Sequence, residues 1–337
     1  MTGLTSAAVT RYGLLADRSL ELVVDADLDD AVTGWVPLSS DTKPVAPPAG
    51  ATHSDRKWRA PARIRVGGGD RSTEAIVAPD ANQSPLLRLW SVRAWRASSP
   101  RTFTLYSARG RVSGYVDLER GSAELHLHPP VLAGSRSALF SALTLAAALL
   151  LLRGHRALMH AAAVAPPAGD AVLLAGDARA GKSTTAANLM SAGWTYLSDD
   201  HIVLRRMDTG AVEVEGWPRR FHLDTGWREA RVLGERESVD PSGIGSGSFR
   251  RTARLGGVLF PRVEPGRGTR LEPIPAAESL ALLIRQSPWL LTDSPTAERV
   301  LACLARVAAL PSYRLFLDHD TYGDPERLAG ILATMTG

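Results

Sequence analysis

The sequence predicts an α/β protein: a phosphate-loop core preceded by a smaller β-rich domain. Three observations carry this. Residues 1 to 133 read as short alternating segments punctuated by glycine turns. An apolar run stops at a glycine loop in LLAGDARAGKSTTAANL, Leu173 to Leu189. A second apolar run, WTYLS, ends in Asp199-Asp200. The strands and helices that alternate through residues 134 to 337 mark the α/β part.

A chain of 337 residues can bury a sizeable core, and its 45% hydrophobic and 22% charged residues are those of a globular protein. Cys303 is the one cysteine, so no intrachain disulfide forms, which fits a reducing cytoplasm. It lies at helical spacing in TAERVLACLARVAAL and reads as a buried apolar residue. The N-terminus lacks a basic start followed by a long apolar core, so no signal peptide is expected. The longest apolar stretch, Ala138 to Leu152, is shorter than a membrane span requires and reads as a buried helix. No membrane role follows.

Net charge is +4 but uneven. Ala51 to Gly110 carries eleven Arg or Lys against four Asp or Glu, together with Trp58, Trp90 and Trp95. This suits a solvated arginine face or an acidic peptide partner. No recognition motif supports nucleic acid.

The elements follow in order. TKPVAPPAGATHSD is a proline-rich surface loop. RTFTLYSARGRVSGYVDLERGSAELHLHP gives three strands turning at Ala108-Arg109-Gly110 and Glu119-Arg120-Gly121. Arg136 to Arg153 is a helix. Ala171 to Gly176 is a buried strand, Thr184 to Ala192 a helix closed by Gly193, and Trp194 to Ser198 a second strand. HIVLRRMDTGAVEVEGW is a hairpin turning at Asp208-Thr209-Gly210. Leu223 to Gly234 is partly helical, and the Gly/Ser-rich Asp240 to Arg250 is mobile, a lid or a connector. RLGGVLF is a strand. Helices cover Ala276 to Arg285 and Thr296 to Leu310, then come the strand Tyr313 to Asp318 and a helix from Asp324 to Thr336.

Gly176-Asp177-Ala178-Arg179-Ala180-Gly181-Lys182-Ser183 matches G-x-x-x-x-G-K-[ST], with a strand before it and a helix, beginning near Thr184, after it. The glycines let backbone N–H groups turn inward as an anion nest, and the helix N-terminus adds positive potential. Lys182 is placed to reach the β- and γ-phosphates of ATP, and Ser183 to bind Mg²⁺. A right-handed crossover would set the end of WTYLS beside this loop, so Asp199 and Asp200 reach the γ-phosphate. One carboxylate can hold the metal and the other take a proton. Only sixteen residues separate Ser183 from Asp200.

This combination resembles the catalytic domain of HPr kinase/phosphorylase and its smaller bacterial relatives. The residues that carry the resemblance are His160 in LMHAAAV, Gly176-Asp177, Gly181-Lys182-Ser183 and LSDD, with weaker likeness in GWPRRFHLD and YRLFLD. The resemblance implies a P-loop core of the HPr kinase/phosphoenolpyruvate carboxykinase type over residues 134 to 337. It implies Asp199 as general base or acid, Asp200 as the metal-associated carboxylate and His160 near the transferred phosphoryl group. Thr184 stands where those kinases usually have Glu. Their later arginine-bearing signature is missing. Arg219, Arg250, Arg251 and Arg254 are the candidate replacements, Arg219 and Arg251 first.

The implied activity is an ATP- and Mg²⁺-dependent serine kinase acting on a peptide or small protein, as in relatives encoded beside ribosomally made precursor peptides, with residues 1 to 133 as the substrate-binding region. A small-molecule kinase and a non-catalytic nucleotide-dependent binding protein are the alternatives. HPr kinases are hexamers, so a homo-oligomer is in keeping with the family.

Overall fold

The computed structural model describes residues 8–15, 18–32, 35, 62–68, 83–99, 101–107, 112–128, 136–217, 219–227, 235–245, 248–291, 294–318, 321, 323–333 and 335. The proline-rich loop, Trp58 and the turn at Ala108-Arg109-Gly110 lie outside them. Contacts divide the chain into two units, Met1–His155 with Leu291–Ala297, and Arg156–Leu290 with Glu298–Gly337.

The first unit is built on an eight-stranded sheet of order β1-β2-β3-β8-β7-β6-β5-β4. Its strands are β1 (Ala8–Leu15), β2 (Arg18–Asp25), β3 (Ala62–Gly68), β4 (Leu87–Leu89), β5 (Val92–Arg96), β6 (Thr102–Ser107), β7 (Val112–Asp117) and β8 (Ser122–Leu127). The three strands expected from RTFTLYS to ELHL are β6, β7 and β8. Gly121, at φ 72°, makes the turn between the last two. Period-two alternation sends Val116, Ala123, Leu125 and Ile64 to one face, where they are buried.

A one-turn helix, α1 (Asp29–Val32), precedes the long helix α2 (Arg136–Leu152), which packs on β6, β7 and β8. Nearly every residue of α2 is buried. Its Thr144 takes a 3.1 Å hydrogen bond from the Trp35 indole, so the polar atom inside an apolar helix is satisfied. This helix belongs to the first contact unit, which runs to His155. Among the described residues no helix is long and apolar enough to cross a membrane.

The opposite face of this sheet is polar. Register places Arg88 of β4 directly across from Arg93 of β5, with Tyr106 and Ser113 next in the row. Arg88, Arg93, Trp95 and Tyr106 are described residues of the basic, tryptophan-bearing stretch that share this face.

The second unit holds β9 (Ala157–Ala165), β10 (Ala171–Ala175), β11 (Thr195–Ser198), β12 (His201–Arg206), β13 (Val212–Gly216), β16 (Thr252–Val263), β17 (Arg270–Pro273) and β18 (Ser312–Leu317). Their order is β10-β9-β12-β13-β16-β18-β17, with β11 also on β9 and β10 also on β16. The 12-residue β16 starts against β13 and continues between β10 and β18. The register slips at Gly256, where a Cβ would come within 2.6 Å of Asp170, so only glycine lets the two chains meet. A small ribbon pairs β14 (Phe221–Asp224) with β15 (Arg236–Val239).

The loop helix α3 (Lys182–Ser191) buries Ala186, Ala187, Leu189 and Met190 against Val164, Leu174, Leu259 and Leu315. Gly193, at φ 84°, ends it. Two further helices are α4 (Ala276–Arg285), with the expected bounds, and α5 (Ser294–Ala308). Burial pushes the Cys303 thiol of α5 up to about 11, which removes it as a nucleophile at neutral pH. The closing helix α6 (Pro325–Ala333) adds Leu328 and Leu332 to the core around α3.

Three expectations need correction. Strands β10 and β11 are not adjacent: antiparallel β9 lies between them and pairs with both. Leu223 and Asp224 are strand and not helix, because β14 finds a partner in β15; residues 228–234 lie outside the described set. The Asp240 segment is anchored. Asp240 caps a short turn at Pro241–Gly243, Ile244 is fully buried in the core, and Tyr196 exchanges backbone hydrogen bonds with Ser248 and Arg250.

Candidate active site

The loop connects β10 to α3. Gly176 and Gly181, at φ 155° and 101°, take backbone conformations that suit glycine, and Arg179, at φ 65°, adopts the left-handed one despite its side chain. Ala180 N–H donates to the Asp177 carbonyl, closing a turn across Ala178 and Arg179. The Lys182 ammonium is nearly buried and donates to the carbonyls of Gly176 (2.8 Å) and Asp177 (3.0 Å). Burial lowers its pKa, while Asp200, Asp177 and Asp199 act to keep it charged. A desolvated ammonium held only by main-chain carbonyls is suited to receive an anion. Thr184, next along α3, is half-buried and gives its carbonyl to the Asn188 amide.

The two aspartates follow β11. Asp199 is buried, and desolvation together with the charge of Asp200 raises its carboxyl to about 7. Hydrogen bonds from Tyr196 and Ser183 act against that rise. Asp200 is the opposite case. Burial would raise it, but His201 and His160 outweigh burial and hold it well below the usual carboxylate range. His160 Nδ1 lies 2.9 Å from one oxygen, Oδ1. On the other, Oδ2, His201 Nδ1 lies at 2.7 Å and Arg219 Nη1 at 3.1 Å. Two neighbouring carboxylates thus have different protonation, one poised near neutrality and one firmly ionised.

Strand β9 explains the position of His160. It sits inside the strand, opposite His201 in register, and the following residue, Ala161, donates its N–H to the Asp200 carbonyl. The strand that displaces the expected adjacency of β10 and β11 is therefore the one that brings the histidine to the carboxylate.

The two preferred arginines part here. Arg219 lies against Asp200, with only 13% of its side chain exposed. Arg251 is paired with Glu215 at 2.9 Å, and Arg254 with Asp170 at 3.2 Å. Sequence reasoning missed Tyr196 and His201. Both carried a signal: a buried tyrosine hydroxyl needs a partner, and the histidine directly follows the paired acids. Arg285 and Gln286 were also missed. Their side chains meet the Asp177 carboxylate at 2.9 and 3.4 Å.

The fit of a Mg²⁺–nucleotide is tested by these donors. Ser183 offers a hydroxyl beside Asp199. Arg219 Nη1 donates to Asp200 Oδ2, and the two imidazole nitrogens lie beside the same carboxylate; its two oxygens accept about four bonds, which leaves capacity on Oδ1. One hydroxyl and one carboxylate, completed by phosphate and water, is a donor set that Mg²⁺ takes. Among the described residues no cluster of three or more His, Cys, Asp or Glu side chains forms an all-protein metal site.

No protein-family model and no curated protein matches the chain. Among solved structures, the chain is similar to the Hpr(Ser) kinase/phosphatase from Coxiella burnetii at 11% identity and a TM-score of 0.31, over 52% of this chain and 88% of that one. The chemistry of the site therefore rests on its own geometry.

Proposed function

We propose that the chain is an ATP- and Mg²⁺-dependent kinase that transfers the γ-phosphate to a serine hydroxyl of a peptide or small protein. One observation carries the reading. Ser183, directly after the loop lysine, is close enough to buried Asp199 to act on its carboxyl, so the anion-binding loop and a carboxylate near neutrality meet in one place.

In this reading the acceptor oxygen attacks the γ-phosphorus while the bond to the β–γ bridging oxygen breaks. The hydroxyl proton goes to Asp199. Lys182 and the loop amides hold the phosphates. Ser183 and Asp200 would hold Mg²⁺, which offsets charge on the transferring group when bound. His160 and Arg219 keep Asp200 ionised and oriented, and Arg219 supplies positive charge to the site. Residues 1 to 133 are read as the acceptor-binding region, with the polar face around Arg88, Arg93, Trp95 and Tyr106 as its candidate surface.

The test is labelling with γ-labelled ATP and Mg²⁺, using peptides encoded beside the protein as acceptors and mass spectrometry to locate the phosphate. Serine phosphate that disappears in Asp199→Asn and Lys182→Ala supports the kinase. Labelling of a metabolite hydroxyl and of no peptide would move the acceptor class to a small molecule. Tight ATP binding with no acceptor labelled would leave a nucleotide-dependent binding protein.

A further inference from the structure

We infer that Arg285 is a phosphate-contacting residue of this site, held on Asp177 when no nucleotide is bound and exchanged onto the terminal phosphates when one is. The inference rests on the nucleotide reading of the loop and adds a residue that its motif does not contain.

Asp177 has two faces. Its carbonyl points inward and accepts from the Lys182 ammonium, while its carboxylate is 67% exposed and meets Arg285 Nη2 at 2.9 Å. Arg285 is therefore one residue away from the group expected to reach the phosphates. It is the last residue of α4, and the next residue is fixed on both sides. Gln286 is buried, its amide reaches Asp177 Oδ1 at 3.4 Å, and its carbonyl accepts from His160 N–H at 3.2 Å. The main chain at Arg285 is thus tied to the loop and to the strand bearing His160.

The guanidinium itself is held lightly. With 62% and 67% of the two side chains exposed, the ion pair is screened by water and easily exchanged. A nucleotide brings several negative charges beside Asp177, the one acid in the loop. Repulsion then disfavours the carboxylate as the arginine's partner, and phosphate oxygens offer the same planar fork a more highly charged one. Three of the other candidate arginines have carboxylate partners elsewhere: Arg219 has buried Asp200, Arg251 has Glu215 and Arg254 has Asp170.

A double-mutant cycle with fluorescent mant-ATP and mant-ADP, in Mg²⁺, tests this on the full chain, with circular dichroism to confirm folding. Arg285→Ala is expected to weaken mant-ATP binding about tenfold and mant-ADP binding less. Asp177→Asn is expected to bind mant-ATP at least as tightly as wild type. In the Asp177→Asn background, Arg285→Ala should still cost a similar factor, because the arginine's partner is then the phosphate. Full rescue in that background would overturn the proposal, reducing Arg285 to a neutraliser of Asp177. Equal losses for mant-ATP and mant-ADP would also overturn it. If wild type binds no nucleotide, and Lys182→Ala behaves identically, the kinase reading fails first and the exchange fails with it. Wild-type binding that Arg285→Ala leaves unchanged sinks the exchange alone.

Discussion

The Tyr196 hydroxyl lies 3.3 Å from Asp199 Oδ1 and 3.1 Å from the Arg219 carbonyl, and its single proton serves both. A hydrogen bond to the carboxylate favours the ionised form, so Tyr196 lowers the pKa of the proposed base. Tyr196→Phe is expected to move the rising limb of the kcat–pH profile upward by up to about one pH unit, the worth of one charge-assisted hydrogen bond. A profile unchanged in Tyr196→Phe would detach Tyr196 from the chemistry.

Asp199 itself costs stability. Its folded carboxyl is raised to about 7 from 3.8. As pH rises from about 4 to 7, the unfolded chain has released a proton that the folded chain retains. Stability therefore falls across that window, and the loss is complete above it. Asn cannot ionise. In metal-free protein, Asp199→Asn is expected to be more stable than wild type at pH 8 by an amount on the order of 2–4 kcal/mol, and equal to it near pH 4. Phosphoryl transfer by the variant should be lost at both. Urea unfolding at the two pH values measures the difference; a gap that does not grow with pH counts against the buried, neutral carboxyl.

Much of the site was legible because its parts are local. The loop, its glycines, Lys182, Ser183 and the paired aspartates lie within a short stretch, and the spacing of glycine and lysine follows from how a backbone wraps an anion. The bounds of α4 were legible from its apolar periodicity. What stayed hidden depends on pairing at a distance. Nothing around His160 says that β9 will pass between β10 and β11, since strand order is set by partners and not by propensity. Arg285 lies more than a hundred residues from Asp177, and no periodicity connects them. The Leu223 stretch has helical spacing but found a strand partner. The Gly/Ser composition of Asp240 to Arg250 suggested mobility, yet the Asp240 cap, buried Ile244 and the backbone bonds of Ser248 and Arg250 to Tyr196 tie its described residues to the core.

That anchoring can be measured. Ile244 is fully buried among Met190, Tyr196, Phe221 and Leu223. Ile244→Ala removes buried methyl and methylene groups and leaves a cavity, so a loss of about 2–5 kcal/mol is expected in denaturant unfolding. Gly245→Ala should also destabilise, since φ is 64° and a Cβ would stand 2.6 Å from the Met190 carbonyl. If neither change moves the unfolding midpoint, the segment is not part of the core and a free lid returns as the better description.

Arg88 and Arg93 face one another across β4 and β5, and no ion pair to either is found among the described residues. Like charges directly opposite on a sheet destabilise it by roughly 0.2–1 kcal/mol. An acidic peptide is the partner that tests whether this positive charge is used. Two outcomes are expected together. Arg93→Thr should raise stability by that small amount, and it should weaken binding of a Glu-Val alternating peptide, read from tryptophan fluorescence. Binding to wild type should also fade as salt is raised toward 1 M, where screening shortens the reach of charge to about 3 Å. Stability that rises while acidic-peptide affinity stays constant would assign the pair to an ordinary solvated face. Tighter binding of a single-stranded oligonucleotide than of the peptide would reassign the face to nucleic acid.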